Sequence, residues 1–470
     1  MTLHRVSADS RATNTYDPLF AEAGELAEIP KHSIPDDEMD PRAAYQLIHD
    51  ELLLDGNARQ NMATFVTTWM NDYAARLFTE NAGKNSIDKD EYPQTAEIER
   101  RCVNMVANLW HAEPDTIGCS AIGSSEAVML AGMAMKWKWR ERMAAAGKAT
   151  DKPNMVMSST VQVVWEKFCR YWEVEPRYVP VTRDRLELSG AEAVKHVDEN
   201  TIGVIGILGV TYHGAYEPIQ EICEALDELQ AKKGLDVPVH VDAASGGFIA
   251  PFVQPELLWD FRLPRVISIN ASGHKYGLVY PGVGWVVWRN KDRLPEELIF
   301  NVNYLGGNQP TFTLNFSRPG AQIIAQYYMF LRLGMDGYRK VHKASMNVAQ
   351  YLSSAVAEMG PYELISTGDT IPVFAFTLKK RKYYTLYDVA RSLREHGWQA
   401  PAYTFPKDIE DFVVMRVNVR QGYGRDLADL FLRDLREVTD YYEGITSPMP
   451  DRAEQEGFSH GGSAAVGEGR

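Results

Sequence analysis

Between residues 155 and 288 the chain repeats short apolar runs separated by longer polar stretches, and this alternation limits the fold more than any other feature. Met155–Ser158, Ile202–Val210, Val237–Asp242, Arg265–Ile269 and Val283–Trp288 are rich in Val and Ile, as in strands buried on both faces. Between the second and third of these, Pro218–Lys233 starts at a proline and sets Ile219, Ile222, Leu226 and Leu229 on one helical face. It ends in Lys-Lys-Gly234. Strand–helix–strand repetition predicts an α/β architecture with a mostly parallel sheet and right-handed crossovers. Upstream, Ile98, Cys102, Met105, Val106 and Leu109 fall at helical spacing within Gln94–Trp110, and Gly123 opens a helical run through Trp139. Beyond about residue 335 the texture changes. A long helix leads to a strand over Ile371–Leu378, a helix over Thr385–His396, a strand over Phe412–Val419 and a helix from Asp426 to about Tyr442. That pattern predicts a smaller α/β unit appended to the large one.

At 470 residues the chain exceeds the usual size of one hydrophobic core. Its formal charge is −14, and no run of Lys and Arg overturns that acidic balance, which argues against a nucleic-acid partner and leaves anionic substrates to local groups. Cys102, Cys119, Cys169 and Cys223 are scattered without a CxxC pair, so they read as reduced thiols rather than staples or metal ligands. No metal is expected. Residues 1–40 are polar and dotted with prolines, and the first residues lack the apolar core of a signal peptide. The longest apolar run, Ile202–Val210, is too short to span a bilayer. The expectation is a soluble cytoplasmic protein without stable membrane insertion.

Asp242 ends one strand run, and Ser272-Gly-His-Lys275 follows the next. Both then lie at the carboxyl edge of one parallel sheet, where open α/β folds bind ligands. A lysine amine can form a Schiff base with an aldehyde, and a carboxylate can keep a pyridine nitrogen protonated. The pair therefore suits a pyridine-type cofactor. Gly123-Ser124-Ser125 sits where a loop becomes a helix, and free N–H groups there suit a phosphate. Taken singly, such residues are most often turn residues, helix caps or solvated charges. Their joint occurrence at strand and helix ends is what points to a site.

The segments VHVDAASGGF, SGHKYG and GSSEA together resemble the pyridoxal-phosphate-dependent decarboxylases. DGNARQNMATF, DKDEYP, CVNMVANLWHA, DFRLPRV, YLGG and FSRPG narrow the resemblance to the bacterial and plant type of glutamate decarboxylase, over about residues 40–440. The resemblance implies the fold type I architecture of pyridoxal-phosphate-dependent transferases, which is aspartate-aminotransferase-like. Its large domain holds a mostly parallel seven-stranded sheet. It further implies an N-terminal arm and helix over 1–60, a large cofactor-binding domain over 61–335, a small C-terminal domain over 336–450 and a flexible tail over 451–470.

The residue roles that follow are likewise those implied by the resemblance. Lys275 carries pyridoxal 5'-phosphate as a Schiff base, and Asp242 partners the pyridine nitrogen. Ser124, Ser125 and Ser272 hold the phosphate. Ala244 and Gln162 pack on opposite ring faces, and Thr211 lies near the ring substituents. His274 lies beside the cofactor, either placing the substrate carboxylate or returning a proton to Cα. Phe316 and Ser317 reach the phosphate from a neighbouring subunit, making the protein a homodimer or higher homo-oligomer with shared sites. For L-glutamate, Arg420 would hold the α-carboxylate, although Arg416 is a rival on the same side of an extended strand. Thr64, Phe65, Asn85 and Asp88 would meet the distal carboxylate. The expected reaction releases carbon dioxide, yields 4-aminobutanoate and consumes a proton, consistent with a part in acid resistance. Another pyridoxal-phosphate-dependent decarboxylase, an aminotransferase and a non-catalytic scaffold are the alternatives. The tail lacks the Trp and Lys residues of the plant calmodulin-binding segment, which argues against calmodulin. His460 partly matches a tail histidine that plugs the site in acid-tolerant bacteria.

Overall fold

The structure is a computed structural model and describes residues 31–304, 309–380 and 382–447. Part of the YLGG segment and the tail with His460 therefore lie outside the described residues. The chain divides after Gln60 into two units. In the first, the helix Pro41–Leu52 is started by Asp40, whose carboxylate accepts from the Arg42 and Ala43 N–H groups, with proline at the first helical position.

The second unit is built on a seven-stranded sheet. Its strands are β1 (Ile117–Ala121), β2 (Asn154–Ser158), β3 (Glu175–Val179), β4 (Thr201–Ile207), β5 (Val239–Asp242), β6 (Val266–Ser272) and β7 (Gly284–Trp288). They lie in the order β1-β7-β6-β5-β4-β2-β3. The pairs from β3 through β6 are parallel, whereas β7 runs antiparallel to both β6 and β1. Every residue of β4, β5 and β6 is buried, because helices cover both faces of a parallel sheet. The helix Ser124–Ala145 is itself buried over most of its first three turns. The helix Ile219–Lys233 closes on Gly234, whose φ of 72° gives the left-handed C-cap that a side chain would resist.

A short hairpin follows, β8 (Phe300–Val302) with β9 (Gln309–Thr311). The helix Ala321–Glu358 is broken in its backbone at Gly334, where φ 55° and ψ −171° leave the helical region. Next comes an antiparallel sheet of β10 (Tyr362–Leu364), β11 (Val373–Leu378), β12 (Ala402–Thr404) and β13 (Val413–Asn418), in the order β10-β11-β13-β12. The helices Leu386–Glu395 and Arg425–Glu443 join it in a second core around Phe374, Phe376, Trp398 and Phe431. The first of these helices starts with a capping box between Thr385 and Asp388, a feature worth about 1 kcal/mol.

One detail of the large sheet bears on function. Side chains alternate across a strand, so His240 and Asp242 on β5 share a face with Ser268, Asn270 and Ser272 on β6. All of them are buried. Such a polar stripe inside a sheet core demands partners for every group.

Candidate active site

The stripe ends at a cavity along the carboxyl edge of β4, β5 and β6. All the cofactor residues expected from the sequence except Phe316 and Ser317 line it, together with Gly209 and Ser245. Another cavity, larger at about 290 Å³, is lined by Glu217, Glu221, Leu257 and Trp259 but offers no amine.

Lys275 lies three residues past the end of β6. Its backbone oxygen accepts from the Thr67 hydroxyl at 2.6 Å, which ties the lysine to the loop carrying Thr64 and Phe65. Its Nζ lies 3.4 Å from Ser245 Oγ and 5.2 Å from the centre of the Phe65 ring. The amine is hemmed in by protein but open toward the cavity. Desolvation lowers its pKa to about 8; Asp242 opposes that shift, and the nearby Arg416 adds to it.

The Asp242 carboxylate accepts three hydrogen bonds. Trp165 Nε1 donates to Oδ2 at 2.8 Å, and the Ala244 N–H and Asn270 Nδ2 donate to Oδ1 at 3.1 and 3.2 Å. Three donors and no acceptor fit an ionised group. Trp165 stands on the helix Val163–Tyr171, whose N-cap is Gln162; the Gln162 side chain accepts from the Val164 N–H at 2.6 Å. One short helix thus delivers both residues.

Gly123, Ser124 and Ser125 form the start of the buried helix Ser124–Ala145, with its N–H groups unpaired by helix geometry. Ser272 donates to Ser124 Oγ at 2.7 Å, joining the end of the sheet stripe to this cup. Gly123 is required by a close approach: a Cβ there would lie 2.8 Å from His274 Cε1. The His274 ring is kept neutral by burial and by Lys275, its pKa lowered to about 4, and its Nδ1 is buried without a partner among the described residues.

Arg416 and Arg420 part company. Arg416 lies within β13, stacks 4.6 Å from the Phe65 ring centre, and donates to the Thr211 and Ala63 carbonyls. Its Nε is buried without a partner among the described residues. Arg420 lies beyond the end of β13 and bonds Val66 O at 2.8 Å, Asn61 O at 2.7 Å and Thr68 Oγ1 at 3.2 Å. The two are not neighbours along one extended strand, because β13 ends at Asn418.

Asn85, Asp88, Phe316 and Ser317 do not line the cavity. Asn85 Nδ2 donates to Ser317 Oγ at 3.3 Å and its Oδ1 accepts from the Arg318 N–H at 3.0 Å, so these residues form a group of their own. Phe316 and Ser317 in that group are exposed.

The sequence reading missed Trp165, Ser245 and Asn270. Asn270 left a signal: Ser268, Asn270 and Ser272 alternate with Ile269 and Ala271 in a run otherwise fit for a core. Trp165 left none, since a tryptophan at helical spacing reads as core packing.

Residues 30–379 match the model of the pyridoxal-dependent decarboxylase conserved domain. The chain belongs to that family. A glutamate decarboxylase of Aliivibrio fischeri is 53% identical over 98% of this chain and 100% of its own length. Glutamate decarboxylase 5 of Arabidopsis thaliana is 50% identical over 91% of this chain and 87% of its own. The solved structure of a Lactobacillus brevis glutamate decarboxylase superimposes with a TM-score of 0.88 at 45% identity, covering 91% of this chain and 99% of that one. The seven-stranded sheet is accordingly that of fold type I, and pyridoxal phosphate is the family's cofactor. The cavity of this decarboxylase fits the group. It provides a helix N-terminus and three serines for a phosphate, a carboxylate for a pyridine nitrogen, and an amine for an aldehyde. No described helix is long and apolar enough to cross a membrane.

Proposed function

We propose that the chain converts L-glutamate to 4-aminobutanoate and carbon dioxide with pyridoxal phosphate, taking up one proton per turnover. The observation that carries this reading is one cavity holding an amine whose pKa is near 8 and a carboxylate fixed by three donors. Half-identical relatives named glutamate decarboxylases support the choice of substrate. When bound, the cofactor supplies an aldehyde and a protonated ring that accepts the electron pair of the breaking Cα–carboxylate bond.

The chain's own residues supply the remainder. Lys275 holds the aldehyde; its partly neutral amine is the nucleophile. Asp242 keeps the ring nitrogen protonated. Ser124, Ser125 and Ser272 hold the phosphate, Gln162 and Ala244 flank the ring, and Thr211 borders its substituents. Arg420 is the proposed grip for the α-carboxylate and Arg416 its rival: each braces the loop 61–68 through backbone carbonyls, and Arg416, set against Phe65, keeps a buried Nε without a partner among the described residues. His274 is neutral above about pH 4, so it suits donating a hydrogen bond more than returning a proton.

Asn85, Asp88, Phe316 and Ser317 complete the neighbouring subunit's site in a homodimer or larger assembly, while Thr64 and Phe65 serve their own. The exposed Phe300, Tyr304, Leu314 and Phe316 support this placement. We also divide the unit into large and small domains near residue 335, beside the break at Gly334.

Carbon dioxide release measured with glutamate and aspartate side by side, with products identified, tests the reading. Glutamate should give 4-aminobutanoate and aspartate nothing comparable. A keto acid product, or a preference for aspartate, would overturn it.

A further inference from the structure

Behind Asp242, away from the cavity, the polar stripe continues as a closed chain of hydrogen bonds. On the paired strands β5 and β6, His240 stands opposite Ser268 and Asp242 opposite Asn270. His240 Nδ1 lies 2.8 Å from Ser268 Oγ, and its Nε2 lies 2.8 Å from Asn270 Oδ1. Asn270 Nδ2 then donates to Asp242 Oδ1. The Trp165 indole, which donates to Asp242, also meets the His240 ring edge-on with centres 5.2 Å apart.

One arrangement of protons satisfies every member. An ionised carboxylate takes only donors, so the Asn270 amide turns its NH2 toward Asp242 and its carbonyl toward His240. The ring must then carry its hydrogen on Nε2, and Nδ1 accepts from the Ser268 hydroxyl. Complete burial keeps the ring neutral, its pKa lowered to about 4 against the pull of Asp242. The groups contributed by β6 and by the Val163–Tyr171 helix (Ser268, Asn270 and Trp165) are uncharged. Asp242, on the ring's own strand, is the charged group acting on it.

We propose that His240 is a positioning residue for the cofactor: acting through Asn270, its Nε2–H tautomer keeps an N–H donor on the Asp242 carboxylate and holds that carboxylate aimed into the cavity. The inference rests on the cofactor reading above. A wrongly turned amide would set a carbonyl oxygen against the carboxylate and weaken its hold on a pyridine nitrogen. His240 is fully buried and does not line the cavity, so its loss should act on cofactor affinity and on kcat, with little change in KM for glutamate.

The test compares wild type, His240→Phe, His240→Gln, Asn270→Ala and the double variant His240→Phe/Asn270→Ala. Pyridoxal phosphate affinity is read by equilibrium dialysis, and the visible band of the bound cofactor is followed across pH. His240→Phe should bind about tenfold more weakly, as expected for losing support to a charged hydrogen-bond acceptor, and its band should shift with pH. His240→Gln, with an oxygen for Ser268 and an N–H for Asn270, should stay close to wild type. With Asn270→Ala already present, His240→Phe should add nothing, because the two act in series. A purely structural histidine predicts otherwise: Gln failing along with Phe, or losses that add in the double variant. Either result overturns the proposal, as does a His240→Phe protein with wild-type affinity and spectrum. Should His240→Phe not fold, Asn270→Ala against His240→Gln decides alone, with weaker binding required of the first and near-normal binding of the second. A wild-type protein that fails to bind pyridoxal phosphate would instead refute the functional reading itself, and this inference with it.

Discussion

At Lys275 and His274, burial pushes two adjacent bases toward their neutral forms, and the consequences differ because their ordinary pKa values differ. The lysine moves from about 10.5 to about 8, which raises its neutral fraction near pH 7 roughly 300-fold. The rate at which apoprotein takes up pyridoxal phosphate into a covalent, visibly absorbing form should rise with pH through a midpoint near 8 and level off about a unit above it. A midpoint near 10 would contradict this. The same shift has a sign for stability. Between pH 8 and 10.5 the unfolded chain binds the lysine proton and the folded chain does not, so stability rises with pH there. Relative to Lys275→Met, the wild-type apoprotein should therefore gain up to on the order of 3 kcal/mol across that window, an upper bound because the amine opens to the cavity. Urea unfolding of both proteins at pH 7.5 and pH 10 measures it, and a constant difference would dismiss the shift. If Asp88 meets the substrate's distal carboxylate as proposed, the two carboxylates are tolerated together when a proton is shared, which low pH favours. Replacing Asp88 with Asn should flatten the acid side of the rate profile. An unchanged profile would remove Asp88 from the site.

Within the large sheet, the strands that could be read in the sequence are those buried on both faces. β4, β5 and β6 announce themselves as runs of Val and Ile because nothing polar is needed on either side, apart from the stripe. The edges were silent. β3, Glu175-Pro-Arg-Tyr-Val, pairs on one side only and can carry a proline and charges. β1, Ile117-Gly-Cys-Ser-Ala, is short and partly open. The antiparallel run of β7 also left no mark, since direction is set by where the chain turns and not by composition. The site shows the same division. Lys275, Asp242 and the serine cup were legible as chemistry at element ends. Of the supports behind them, Asn270 showed only through its alternation with Ser268 and Ser272, while a tryptophan and a histidine inside a core look like packing. One element-scale device invites a direct test. At Gly123 the helix start lies so close to His274 that a methyl group must displace the ring. Gly123→Ala should fold normally but bind pyridoxal phosphate about tenfold more weakly. Equal affinity would mean the cup tolerates the shift.

For the whole molecule, the open question is which chain completes which cavity. Asn85 and Ser317 bond to each other outside the cavity that Lys275 enters, and Phe300, Tyr304, Leu314 and Phe316 are exposed. Under the proposed assembly, a twofold pair carries these groups into the partner's site, since its interface repeats the same patch on both subunits. The protein should then run at twice the 52.9 kDa of one chain, or at a multiple of that pair. Size alone does not show sharing, so the decisive experiment mixes two damaged proteins. Lys275→Ala removes the amine, and the double variant Asn85→Ala/Ser317→Ala removes the group outside the cavity; each alone should be nearly inactive. If the groups act across the interface, subunit exchange builds mixed dimers with one site carrying both defects and one carrying neither. Random exchange should restore roughly a quarter of wild-type activity, because half the dimers are mixed and each has one sound site. If they act within their own chain, every site keeps one defect and mixing restores nothing.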